Sequence, residues 1–211
     1  SDDDLSFMAY REHDASPTGG TDAPLADAQR AIRTLRANAE KWHINPQRIG
    51  IMGFSAGGHV AASLGTRFSQ SVYPATDAID SVSARPDFMV LMYPVISMQA
   101  NIAHAGSRKQ LIGEQPTEAQ VLRYSPEKQV TAQTPPTFLV HAVDDPSVSV
   151  DNSLVMFSAL REKQIPVEMH LFEKGKHGFG LRGTTGLPAA AWPQLLDNWL
   201  RILPVSNEPS K

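Results

Sequence analysis

A serine held in Gly53-Phe54-Ser55-Ala56-Gly57-Gly58 is the first residue of this chain whose surroundings point to chemistry. Arg48-Ile49-Gly50-Ile51-Met52 before it reads as a short apolar strand, and His59-Val60-Ala61-Ala62-Ser63-Leu64 after it as a helix. A G-x-S-x-G junction between strand and helix is a nucleophile elbow, a strained turn that leaves the serine hydroxyl standing clear of the sheet. Gly53 and Gly57 are the positions where neighbouring backbone is expected to pass close. The helix opening there aims unpaired N–H groups and the positive end of its dipole at the serine, which favours negative charge. The Ala56 N–H is the first donor such a charge would meet.

A serine hydroxyl is a weak nucleophile until a base takes its proton, and that base needs an acceptor on its other ring nitrogen to fix its tautomer. Downstream, Asp144-Asp145-Pro146 follows the apolar run 137–143, and His177 sits in the loop 173–180 after a further strand at 167–172. Each has an ordinary reading alone: Asp-Asp-Pro is turn chemistry, and a single loop histidine is common. In this order, each after its own strand at the carboxyl edge where open parallel sheets place their sites, they read as acid and base. Asp145 is preferred as the acid because it directly precedes Pro146 and stands three residues before Val148, with Asp144 as the alternative. Gly175, Gly178 and Gly180 give the His177 loop freedom to turn back over the sheet. The set describes acyl transfer, with Ser55 attacking, His177 as base and Asp145 orienting it. His13, His43, His59, His104, His141 and His170 do not fit the order. His59, in the first turn of the elbow helix, is placed to line the site, although packing is its more ordinary role; Phe54 and Phe179 are further lining candidates. No close ligand spacing of His and Asp suggests a metal, and no cofactor is expected.

The elements that must position these residues are legible from periodicity. Residues 5–10 read as a strand, and 11–23 as a polar loop. Leu25, Ala28, Ile32, Leu35, Ala39 and Trp42 recur at helical spacing, with Thr21 or Asp22 as cap, Pro24 in the first turn and an end near Asn45-Pro46. The run 87–93 reads as a strand buried on both faces. Residues 95–136 are rich in proline with only short helical pieces, at 107–112 and 117–123, and make a candidate lid or substrate wall. Val150, Leu154, Phe157 and Leu160 mark another helix. The last helix covers 189–202, with Trp192, Leu195, Leu196, Trp199 and Leu200 as its apolar face. Alternating strands and helices imply a mostly parallel sheet with right-handed crossovers.

At 211 residues the chain suits one domain, 1–211. With 41% apolar and 19% charged residues and a net charge of −3, it lacks the basic excess of a nucleic-acid binder, and a small molecule is the expected partner. The absence of cysteine excludes disulfides and leaves the redox compartment open. No apolar run approaches the roughly 18 residues of a membrane span. The compartment stays open: a soluble protein, secreted or periplasmic if a signal peptide once preceded Ser1.

With the elbow, the acid and the histidine loop in place, the chain resembles the α/β-hydrolase superfamily, and within it the acetyl-xylan-esterase-like and carbohydrate acetyl esterase (carboxylesterase) group. The likeness runs from Pro24 to Leu203. Its carriers are Pro24-Leu25-Ala26-Asp27-Ala28-Gln29-Arg30-Ala31, Ile51-Met52-Gly53-Phe54-Ser55-Ala56-Gly57-Gly58-His59, Ser83-Ala84-Arg85-Pro86-Asp87-Phe88, Tyr93-Pro94-Val95-Ile96-Ser97-Met98, Pro135-Pro136-Thr137-Phe138-Leu139-Val140-His141-Ala142 and Glu173-Lys174-Gly175-Lys176-His177-Gly178-Phe179-Gly180. The resemblance implies a serine esterase for acetyl-type esters, with carbohydrate as a candidate alcohol. It also implies an eight-stranded sheet with the elbow after strand five, yet only residues 5–10 offer a strand upstream. An N-terminally truncated sheet of about strands 4 to 8 is therefore expected, without the His-Gly-Gly loop that donates a second oxyanion N–H in such esterases. Two expectations follow. A homodimer or a rearranged edge should cover the exposed N-terminal side of the sheet, which sedimentation would reveal. Turnover should also fall by on the order of 100 to 1,000-fold for want of one donor. The alternative is a catalytically weak or inactive α/β-hydrolase-like domain that serves as a binding module.

Overall fold

A computed structural model describes residues 20–203. The strand expected at 5–10 lies outside the described residues. In chain order the elements are α1 (Ala23–Ala37), β1 (Ile51–Phe54), α2 (Ala56–Arg67), β2 (Met89–Met92), α3 (Ala105–Ile112), α4 (Glu118–Arg123), β3 (Thr137–Ala142), α5 (Asp151–Glu162), β4 (Val167–Phe172) and α6 (Trp192–Ile202). The four strands form one sheet in the order β1-β2-β3-β4, every pair parallel, with Ile51 beside Met89, Met89 beside Thr137 and Thr137 beside Val167. Parallel strands need crossovers, and helices supply them, which covers both faces of the sheet. Among the described residues β1 pairs with β2 only. No helix among them is long and apolar enough to cross a membrane.

Every residue of β2 and β3 is buried, in keeping with their largely apolar sequences. On one face Met89, Leu91 and Leu139 meet Ala61 and Ala62 of α2 and Met156 and Leu160 of α5. On the other, Val90, Met92, Phe138 and Val140 meet Trp192 and Trp199 of α6. Phe138, Leu139 and Val140 each contribute about 1.5–3 kcal/mol by leaving water, more than enough to offset the desolvation of the one polar ring in that strand, His141. In a third cluster, Val95, Met98, Ile112 and Tyr124 of the segment after β2 pack with Val148 from the turn after β3. In the segment after β2, Thr117 and Gln120 close a capping box on α4.

Three local readings are corrected. Helix α1 stops at Ala37, short of the expected end near Asn45, and Trp42 is 44% exposed. The apolar spacing continues past Ala37, but the chain must turn back to enter β1, and Asn38 ends the helix with its amide on the Thr34 carbonyl. Asp22 makes no cap bond. Its carboxylate instead accepts from Arg67 at 2.9 Å and Arg123 at 3.0 Å, tying the start of α1 to the ends of α2 and α4. The buried face of α5 is Asn152, Ser153, Met156 and Leu160, whereas Leu154 is 37% exposed. Polar partners won that face: Asn152 Oδ1 accepts from the N–H groups of Ile96 and Ser97, and Ser153 bonds His141.

Candidate active site

Ser55 stands between β1 and α2 with φ 52° and ψ −120°. A non-glycine residue there is held against a cost on the order of 1–3 kcal/mol, so its surroundings must over-determine it. They do: the Ser55 N–H donates to the Met92 carbonyl, while the Ser55 carbonyl accepts from Gly58 N–H and Val95 N–H, each at 3.0 Å. The glycine reading needs one correction. A Cβ on Gly53 would stand 2.1 Å from the Gly57 carbonyl oxygen, and one on Gly58 would stand 2.6 Å from Pro94 Cβ. A Cβ on Gly57 would meet open space. Gly53 and Gly58 are thus the sterically required pair, because the close approaches are made by the helix onto the strand and by Pro94 onto the helix.

The Ser55 hydroxyl lies 2.8 Å from His177 Nε2, and His177 Nδ1 lies 2.7 Å from Asp145 Oδ2. Asp145 Oδ1 accepts from the N–H groups of Ser147 at 2.8 Å and Val148 at 2.9 Å. The Asp145 side chain is wholly buried, while that of His177 keeps 23% exposure. Burial alone would raise the Asp145 pKa. The Val148 N–H, the His177 contact and the Ser147 N–H outweigh it and leave the carboxyl below its ordinary range. Asp144 serves the loop and not the imidazole. Its Oδ1 accepts from Gly175 N–H at 2.9 Å and Lys176 N–H at 2.8 Å, fastening the segment that carries His177. Ala56 opens α2, where the first N–H groups have no preceding turn to bond.

Tyr93, which sequence reasoning passed over, packs against the His177 ring. Its buried ring meets His177 edge-on with centroids 5.2 Å apart, and its hydroxyl accepts from Gly180 N–H at 3.3 Å. Trp192 Nε1 donates to the Gly180 carbonyl at 2.8 Å, fastening the loop to α6. The one available signal was an aromatic residue at the carboxyl end of a buried strand, directly before Pro94. Of the lining candidates, Phe54 is half-buried with its ring 5.9 Å from that of Tyr93. Phe179 is 3% exposed, packed 4.8 Å from the Tyr93 ring, so it supports the histidine loop from below and does not form an open wall.

His59 is likewise a packing residue. Its Nε2 lies 2.8 Å from the Tyr124 carbonyl, joining α2 to the segment after β2. Burial, which the Tyr124 bond only partly opposes and the Arg67 charge reinforces, depresses its pKa to about 4. Unfolding returns the ring to its ordinary value near 6.5, so below that pH the unfolded chain binds the extra proton. Stability should therefore fall as pH drops from about 6.5 to about 4, by about 3 kcal/mol in full from this residue. His59→Gln, which keeps a donor for the Tyr124 carbonyl, should flatten that slope in urea unfolding. An unchanged slope would refute the assignment.

A parallel sheet clad in helices, with a strained serine at a strand-to-helix turn beneath a histidine loop, is the α/β-hydrolase fold. The chain belongs to the BD-FAE family, whose model matches residues 7–160, a span that takes in Ser55 and Asp145 and ends before His177. It is 42% identical over 155 residues to endo-1,4-beta-xylanase B of Butyrivibrio fibrisolvens, covering 74% of this chain and 24% of that protein. It is 34% identical over 196 residues to an acetylxylan esterase of Xylanibacter ruminicola, covering 91% of this chain and 38% of that protein. The crystal structure of an acetyl ester-xyloside bifunctional hydrolase from Caldicellulosiruptor lactoaceticus superposes with a TM-score of 0.79 at 46% identity, over 85% of this chain and 65% of that one. The chain thus spans less than two-fifths of the length of these curated relatives.

Proposed function

We propose that the chain is a serine carboxylic ester hydrolase that removes acetyl-type groups, with acetylated carbohydrate as the substrate class. The observation that supports this reading is the unbroken run of hydrogen bonds from Ser55 through His177 to Asp145, at 2.8 and 2.7 Å. His177 Nε2 takes the hydroxyl proton as Ser55 Oγ attacks the ester carbonyl, and the buried Asp145 carboxylate stabilises the imidazolium that forms. The developing oxyanion is met by the Ala56 N–H at the positive end of α2. His177 then gives its proton to the departing alcohol. Water, deprotonated by the same ring, hydrolyses the acyl-enzyme and restores Ser55.

Carbohydrate enters through likeness to proteins described as acetylxylan esterase and acetyl ester-xyloside hydrolase. The single sheet with its covering helices supports treating the chain as one domain. The segment 95–136 is a candidate substrate wall, since its first N–H is bonded to the Ser55 carbonyl itself. The test is acetate release from p-nitrophenyl acetate and from acetylated xylo-oligosaccharides by the folded chain. Release from both supports the reading, release from the first alone removes carbohydrate from it, and release from neither overturns it.

A further inference from the structure

We infer that His141 is a positioning residue for the acid: from inside β3 it clamps the Asp145–Val148 turn and gives the carboxylate a further donor, so that Asp145 meets His177 in one fixed geometry. This rests on the esterase reading for its consequence in turnover, though not for its consequence in His177 titration.

The geometry is specific. His141 is wholly buried, and its Nδ1 lies 2.7 Å from Ser153 Oγ of α5. On the other side, Nε2 lies 3.0 Å from the Val148 carbonyl and 3.3 Å from Asp145 Oδ2. Both groups facing Nε2 are acceptors, so the ring proton belongs there, and Nδ1 must accept from the Ser153 hydroxyl. The N–H is shared, with the carbonyl as the shorter arm and the carboxylate as the longer. Val148 is bonded twice to this arrangement, through its N–H to Asp145 Oδ1 and through its carbonyl to His141. Asp145 therefore faces four donors: two backbone N–H groups on Oδ1, and the rings of His177 and His141 on Oδ2. Burial, against the opposing pull of Val148 and Asp145, lowers the His141 pKa and keeps the ring neutral. The titratable groups that face this cluster are Asp145 from the turn after β3, His177 from the loop after β4, and Tyr93 from the end of β2. From α5 comes only the Ser153 hydroxyl.

A carboxylate that loses a donor becomes more basic and holds the proton on its partner imidazole more firmly. His141→Met keeps bulk and removes the donor, whereas His141→Gln can place an amide N–H near the position of Nε2. In His141→Met the His177 titration midpoint, followed by NMR of histidine-labelled protein, should move up by about half a unit. The acid limb of kcat/KM on p-nitrophenyl acetate should move with it, and kcat/KM should fall about tenfold. His141→Gln should recover most of both. If His141→Met does not fold, Ser153→Ala, which frees Nδ1, should show a smaller shift in the same direction. A midpoint unmoved in the folded variants, or a Gln variant as impaired as the Met variant, would overturn the inference. The NMR midpoint needs no turnover, so an inactive wild type would sink the esterase reading and still leave His141 on trial.

Discussion

Ser55→Ala is expected to lower kcat on p-nitrophenyl acetate by about 10⁴-fold or more, with the fold intact. The variant keeps His177 fixed by Asp145 and keeps the Ala56 N–H, so the residual rate measures what a base and one oxyanion donor do with water alone. Alanine can occupy the backbone at φ 52° at no greater cost than serine, and the three backbone bonds at this residue are untouched. Loss of activity without loss of circular dichroism or thermal stability is therefore the expected pair of results. Activity within tenfold of wild type would mean that another group attacks the ester, and the role given to Ser55 would fall.

Asp145→Asn should cost about 10⁴-fold in kcat, although it changes one atom. The asparagine oxygen would occupy the site facing the N–H groups of Ser147 and Val148, which leaves its NH₂ facing His177 Nδ1. His177 must then accept at Nδ1 and carry its proton on Nε2, toward Ser55, where it cannot act as a base. Asp144→Asn keeps an oxygen for Gly175 and Lys176 and should lose far less. The comparison of kcat in the two variants discriminates between neighbouring aspartates, and equal losses would refute the division of labour.

How much of this is readable in the sequence depends on whether the deciding contact is local. The strands at 89–92 and 137–142 announce themselves because burial on both faces demands largely apolar runs. That Ser55, Asp145 and His177 come within hydrogen-bonding reach of one another is legible because the elbow motif and the chain order restrict the choices. What stays hidden is set by contacts distant in sequence. Whether Gly57 or Gly58 is indispensable depends on where Pro94 lies, 36 residues or more away in the chain. Helix α5 turns Asn152 and Ser153 inward because backbone N–H groups after β2 and a ring in β3 await them. His141 looks like one more histidine outside the ordered set, and only the fold shows its ring beside the acid. The lining candidates His59 and Phe179 are buried in packing contacts for the same reason, since proximity to Ser55 and His177 along the chain says nothing about which way a side chain faces.

The paired aspartates have a mechanical consequence. Asp145 grips the imidazole while Asp144, one residue away, grips the backbone of the loop that carries it. Any shift of the turn after β3 thus moves imidazole and carboxylate together as a common-mode displacement, and their separation is preserved. The differential coordinate is the gap between His177 and Ser55, which are borne on separate loops. Thermal motion and distant substitutions should therefore register first in that single 2.8 Å distance.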